Sequence, residues 1–269
     1  HGAELTVPAA VPWLRARVAE GLAGADLLLP VSDHTRGKVE ALLEGTGKVV
    51  PPIELLRARV DLTEFRPDAD GAAFRARWGL SPTTPILLCF GRLVPRKGVD
   101  RLIAALPAIR DRVSDATVVV AGTGPEERRL RRLAQEVGEG VVFTGRIPAG
   151  DAPATYAAAN VFVLPVADRW FGLEIEGLGV VLLEAGASEV PCVTGRSGGT
   201  PEAVIDGRTG FVVDAGDRSA LVERIVWLLE HPEEAAAMGR AGREHVAAGF
   251  AGSLPKGLLG WLGLELPSG

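Results

Sequence analysis

Cysteine is nearly absent from this chain: Cys89 and Cys192 are the only two in 269 residues. Each sits in an apolar stretch, PILLCF or VPCVTG, which reads as buried core and not as a disulfide framework. No CxxC or Cys/His spacing suggests a zinc site. A basic excess is lacking as well. The net charge is −5, from 29 Lys and Arg against 34 Asp and Glu, and such totals speak against a nucleic-acid binder. No apolar run reaches the roughly 18 residues of a membrane span, and no secretory signal pattern is present, so a cytoplasmic location is expected. The dinucleotide fingerprint GxGxxG fails because Glu127 stands where the third glycine belongs after Gly122 and Gly124, and no GxxxxGK[ST] phosphate loop occurs. These gaps count against nicotinamide enzymes and P-loop NTPases. Methionine occurs once, as Met238, and the chain begins at His1, so it is expected to be a piece of something longer.

What remains is ordinary globular composition, 47% hydrophobic and 23% charged. Its pattern alternates. The segment WLRARVAEGLAGA reads as a helix and DLLLPVS as a short buried strand ending at Ser32. Ser32 can cap the next helix, DHTRGKVEALLEG, which closes at Gly45, and KVV and IELL follow as strand-like pieces. This opening cannot close a sheet alone. From Asp61 to Asp70 the chain is polar and turn-like, and the helix GAAFRARWG follows. Beyond Pro82 apolar strands (PILLCFG, ATVVVAG, VVFTG, VFVLPV, VPCVTG, GFVVD) alternate with helices as far as DRSALVERIVWLLEH. Strands apolar throughout and separated by helices predict a parallel sheet covered on both faces, an α/β, Rossmann-like, doubly wound fold. From Gly249 the pattern decays into GFAGSLPKGLLGWLGLELPSG, read as an irregular tail.

In such sheets ligands bind beyond the carboxyl ends of the strands, so the loop after each strand is where chemistry is expected. GRLVPRKGVDRL, from Gly91 to Leu102, gathers Arg92, Arg96 and Lys97 around a turn containing Pro95 and Gly98, and guanidinium and ammonium groups there suit phosphate oxygens. GTGPEE offers two glycines for close backbone approach. The loop TGRIPAGD carries Arg146 and Ile147 and can present main-chain groups to a base edge. Richest is FGLEIEGLGVVLLEAGAS, where Gly177 and Gly179 open a helix whose free N–H groups attract anions, each charge-assisted bond being worth about 1.5–3 kcal/mol. Glu184 lies eight residues after Glu176, predicting that both share one helix face. A carboxylate amid VVLLEAGAS needs a partner. A second glycine turn, GRSGGTPEAVIDGRTGFVVD, opens another helix. The basic run from Arg128 to Arg132 reads as a solvated helix face more readily than as a contact for acidic lipid.

Taken in order, GRLVPRKG, AGTGPEE, TGRI, EGLGVVLLE and SGGTPEAVIDGRTGFVV resemble the family 4 retaining glycosyltransferases of the GT-B fold. RLVPRKG and EIEGLGVVLLEA look like the actinobacterial mannosyltransferases that act on phosphatidylinositol mannosides. The resemblance implies that 61–248 is the nucleotide-sugar domain of the C-terminal half, that 1–60 is a fragment of the N-terminal acceptor-side domain with its linker, and that 249–269 is the divergent tail. It also assigns roles. Gly91, Arg92 and Lys97 would hold the donor diphosphate, and Arg146 and Ile147 would meet the base. Glu176 with the backbone of Gly177, Leu178, Gly179 and Val180 would contact sugar and phosphates, and Glu184 would bind the ribose. His1 would match an HG-x-E segment that faces the sugar, which makes Glu176, Arg92, Lys97 and His1 the expected catalytic set. The implied donor is a nucleotide diphosphate sugar, GDP-mannose, used without a metal or other cofactor. The implied acceptor is a lipid-linked glycan, reached with or without peripheral contact at the inner face of the cell membrane.

Three departures from the family pattern stand out. Arg59 replaces a linker glycine, Glu189 replaces a helix-ending glycine at a cost of up to about 1 kcal/mol, and the tail after Phe250 lacks the closing Trp-containing helix. A donor-binding module without turnover is therefore the competing reading. A sugar-nucleotide epimerase is disfavoured because its carboxylate and His pattern is not evident.

Overall fold

The computed structural model describes residues 11–44, 47–252 and 254–264. His1 lies outside them, as do Gly45 and the last five residues. Six parallel strands, β1 (Ile86–Phe90), β2 (Thr117–Ala121), β3 (Val141–Gly145), β4 (Val161–Leu164), β5 (Cys192–Gly195) and β6 (Gly210–Val213), form one sheet in the order β3-β2-β1-β4-β5-β6. Every residue of β4 and β5 is buried, as the uninterrupted apolar runs require of strands covered on both faces. β3, at the edge, is half-buried along its length. Both cysteines are free and buried, and burial pushes their thiols up, that of Cys89 to about 12.

Helices α3 (Gly71–Arg77), α4 (Val99–Arg110), α5 (Glu127–Val137), α6 (Ala152–Ala157), α7 (Val180–Ala187), α8 (Thr200–Ala203) and α9 (Arg218–Glu230) connect and cover the strands. In α4, Leu102, Ile103, Leu106 and Ile109 recur at helical spacing and are fully buried, each contributing about 1.5–3 kcal/mol relative to exposure. An 18-residue helix, α10 (Pro232–Gly249), follows α9 and packs on α7. No strong apolar period in the residue order announces it. Its inward face is Ala235, Gly239, Gly242 and Val246, a stripe too small to register as an apolar period. Arg243 on α10 donates to the carbonyls of Leu62 at 2.9 Å and Phe65 at 2.8 Å, and also to that of Ala187, tying the linker turn to the end of α7.

Ahead of the linker, α1 (Pro12–Ala23) and α2 (Asp33–Leu43) form as expected, with the Ser32 hydroxyl accepting from Thr35 N–H. The strands expected around them reduce to one parallel bridge, Leu28 with Ile53, over a small core of Leu28, Val39 and Leu43. A pair without neighbours is marginal as a sheet. Within the tail a short helix, α11 (Lys256–Trp261), corrects the irregular reading. Leu258 and Leu259 are buried, and the Glu54 carboxylate accepts from Leu258 N–H at 3.2 Å, so packing and a capping partner offset the glycines. Arg59 is exposed and is not among the residues with positive φ, so no glycine is needed there. Glu189 does adopt the left-handed conformation, φ 58°.

One fastening of the N-terminal segment to the sheet domain is a single carboxylate. Glu202, in α8, accepts from Asp33 N–H at 2.8 Å and His34 N–H at 2.9 Å, so one carboxylate serves two first-turn donors of α2. Glu202→Ala is expected to cost about 1–2 kcal/mol in urea denaturation, and Glu202→Gln, which keeps one acceptor, about half of that. A midpoint unchanged by Glu202→Ala would show that the contact carries no stability.

Candidate functional site

Strand order reverses between β1 and β4, and the loops leaving these two strands part there. The loop after β1 tightens into a single 3-10 turn, Pro95–Lys97, closed by Gly98 at φ 68°. A Cβ at Gly98 would overlap the Pro165 carbonyl, so only glycine lets the two loops approach this closely. Ala167 N–H donates to the Arg96 carbonyl at 3.1 Å and Arg101 to the Pro165 carbonyl at 3.0 Å, locking the loops together.

Across this crevice Lys97 meets Glu176. The Nζ–Oε2 separation is 2.8 Å, with side chains only 11% and 9% exposed, and Arg96 reaches the same oxygen at 3.5 Å. The Lys97 contact has the distance of a hydrogen bond without its alignment, so it is an ion pair first. Desolvating both groups is costly, and a buried pair of this kind is weak evidence of a purely stabilising role. Backbone contacts hold Glu176 on its other side. Its N–H donates to Ser197 Oγ at 3.0 Å, and its carbonyl accepts from Gly199 N–H at 3.1 Å. Gly198, at φ 51°, lies so close that a Cβ would overlap the Glu176 carbonyl.

Glu176 does not share a helix face with Glu184. α7 begins only at Val180, behind Gly179 at φ 84°, and residues 175–179 are irregular. The eight-residue spacing therefore carries no helical meaning, and folding brings the two glutamates to this end of the sheet by separate routes. Among the described residues the N–H groups of Gly177, Leu178, Gly179 and Val180 donate to no protein acceptor, leaving an anion-seeking turn beside Lys97. The Leu178 side chain is buried in the core, so this residue offers only backbone.

Glu184, four residues into α7, accepts from the Tyr156 hydroxyl at 2.5 Å. Burial pushes its carboxyl up, the Tyr156 hydrogen bond pulls it down, and the Glu64 carboxylate adds a further upward push. Arg92 shares the Lys97 loop but is exposed and contacts no carboxylate among the described residues. Arg146 is exposed after β3, while Ile147 packs on the core, and their loop stands two strand spacings, about 10 Å, from that of Gly91. In GTGPEE the close approach is to protein, since Gly122 and Gly124 pack on the backbone of Gly91 and Leu93. Neither Ser197 nor Tyr156 is marked individually by a signal in the sequence, and Arg96 joins the site from the Lys97 loop. Arg129 and Arg131 on α5 are paired with Glu126, Asp100 and Glu127, as a solvated face should be.

A cationic turn, a buried carboxylate and a helix start with unpaired N–H groups therefore converge at the switch point of a doubly wound sheet. Residues 70–245 match the family described as glycosyl transferases group 1. The chain belongs to that family. These are the family 4 GT-B enzymes that the five motifs resemble, and the six-stranded sheet is that of their C-terminal domain. Among relatives, the chain is 46% identical over 222 residues to the GDP-mannose-dependent alpha-(1-6)-phosphatidylinositol monomannoside mannosyltransferase of Mycolicibacterium smegmatis, covering 81% of this chain and 57% of that protein. It thus spans a little over half the length of this curated relative. Among solved structures, sucrose-phosphate synthase from Thermosynechococcus elongatus is 30% identical with a TM-score of 0.74, covering 90% of this chain and 58% of that one. The C-terminal domain of the group 1 glycosyltransferase LpcC from Francisella tularensis superposes over its whole length, 72% of this chain, with a TM-score of 0.62 at 22% identity, and shares the fold.

Proposed function

We propose that this group 1 glycosyltransferase chain binds GDP-mannose and, in the enzyme it belongs to, transfers mannose with retention of configuration to a lipid-linked acceptor of the phosphatidylinositol mannoside class. The Lys97–Glu176 pair beside the unpaired N–H groups of 177–180 carries this reading. A donor diphosphate placed at that turn would take charge-assisted bonds from Lys97, Arg96 and the start of α7, and Arg92 is free to swing onto it. As the sugar–phosphate bond breaks, negative charge grows on the leaving phosphate, and those same groups stabilise it. Lys97, drawn off Glu176 by the arriving phosphate, leaves that carboxylate available to accept from the sugar hydroxyls. Glu184 would take the ribose, and the Ile147 main chain the base. The finer identity is supported by the named relative, whose name specifies GDP-mannose and a phosphatidylinositol monomannoside acceptor.

Because the chain spans 57% of that relative, donor binding without turnover by these 269 residues is the competing outcome. Calorimetry with GDP and release of GDP from GDP-mannose in the presence of a phosphatidylinositol mannoside separate the two. Binding with release supports the full reading, and binding alone supports the module. Binding of neither GDP nor UDP would refute both. No helix among the described residues is long and apolar enough to cross a membrane.

A further inference from the structure

Glu184 is an unusual residue for its surroundings. Its neighbours Leu182, Leu183 and Ala185 are buried, and its single protein partner among the described residues is the Tyr156 hydroxyl. Tyr156 is itself fully buried, on α6 between β3 and β4. Three rings confine it: Phe65 from the linker at 5.8 Å, Phe90 from the end of β1 at 5.4 Å and Phe162 from β4 at 5.6 Å between centroids. A tyrosine held in such a box cannot re-aim its hydroxyl without moving its neighbours, and a buried phenol requires a partner. The hydroxyl meets Oε2 of Glu184, whereas Oε1 has no protein partner among the described residues and is not sealed from the surface. The sense of the bond is fixed too. Burial pushes the phenol well up, so it stays protonated and donates.

We propose that Tyr156 is a positioning residue for the donor's ribose, occupying one oxygen of Glu184 so that the other is presented to the ribose hydroxyls. The inference rests on the donor-site reading above and deepens it. A free glutamate on α7 would sample several rotamers, and each would have to be given up on binding. One held at Oε2 has already given them up. Specificity follows, because a site built to accept from hydroxyls is left with a poorly paired carboxylate when the hydroxyls are missing. The ring box links this arrangement to the fold, since Phe65 belongs to the turn that Arg243 ties down from α10.

The test is calorimetric titration of the chain with GDP and with 2′,3′-dideoxy-GDP, comparing wild type, Tyr156→Phe, Glu184→Gln and the double variant. Wild type is expected to prefer GDP by about tenfold or more, the weight of a hydrogen bond to a charged group. Tyr156→Phe should bind GDP roughly tenfold more weakly and leave dideoxy-GDP unchanged, and it should add little in the Glu184→Gln background. The ring is retained, so the aromatic box stays filled. Placing 4-aminophenylalanine at position 156 restores a donor and should recover the preference. Equal weakening of both ligands, or an undiminished preference for GDP in Tyr156→Phe, overturns the proposal and leaves Tyr156 a core residue. If wild type binds neither GDP nor UDP, the donor-site reading falls and takes this inference with it. If wild type binds but does not distinguish the dideoxy ligand, the ribose assignment and this inference fall while the donor-site reading stands.

Discussion

Replacing Lys97 by alanine is expected to lower the rate of nucleoside diphosphate release about 10²–10³-fold, the loss typical of removing one preorganised group from a developing charge. Two effects combine. The variant loses a cation that would face the leaving phosphate, and it leaves Glu176 buried with only Arg96, at 3.5 Å, to balance it. Breaking a buried pair from one side costs about 3–5 kcal/mol, and the remaining arginine places the expected loss at the lower end. Urea denaturation reads that term separately from the kinetics. Lys97→Arg keeps the charge but substitutes a planar fork for a point donor in a crowded turn, so stability should largely return while rate recovers only in part. Undiminished release by Lys97→Ala would remove Lys97 from the mechanism.

Gly198→Ala should be nearly as severe without removing a functional group. At φ 51° an alanine pays about 1–2 kcal/mol for left-handed backbone, and its Cβ would fall on the Glu176 carbonyl. Relief requires that carbonyl to move, which breaks the bond from Gly199 N–H and pulls Glu176 from Ser197 and Lys97. We expect a total loss of about 2–4 kcal/mol and at least a tenfold fall in donor affinity in the protein that remains folded. Gly37→Ala, in the middle of α2 with open space around its Cβ, is the control. It should stabilise by about 0.5–1 kcal/mol and leave donor affinity alone. Equal affinity in wild type and Gly198→Ala would show that the turn tolerates displacement and that Glu176 is not held by it.

Much of this architecture is legible in the residue order because buried parallel strands write themselves as short apolar runs, and all six runs become strands. Legibility fails where packing uses small residues or where contacts are long-range. α10 buries alanine and glycine instead of leucine, so its period is real but faint. α11 draws stability from Glu54, 204 positions away, which no local pattern can announce. Within the site, the loops of Lys97, Glu176 and Ser197–Gly199 meet, the TGRI loop stands apart, and the helical spacing does not explain the pairing of Glu176 with Glu184. A shared helix face was expected from spacing, whereas Glu176 is held by Lys97 and the Ser197–Gly199 turn, and Glu184 by Tyr156. Tyr156 carries no local signal, because only its ring environment shows where the hydroxyl points.

Residues 197 to 202 have two attachments: Ser197 and Gly199 grip Glu176, and Glu202 grips the first turn of α2. A segment pinned at both ends has no slack. Adding or deleting one residue there would shift one attachment by about 3.5 Å relative to the other, so either the carboxylate in the crevice or the helix behind it would lose its hold. The exposed turn after β3, around Ala149 and Gly150, has no such double duty. Length variation among natural or engineered versions of this domain should therefore collect in that turn and spare the Ser197–Glu202 segment, whatever happens to the identity of individual residues.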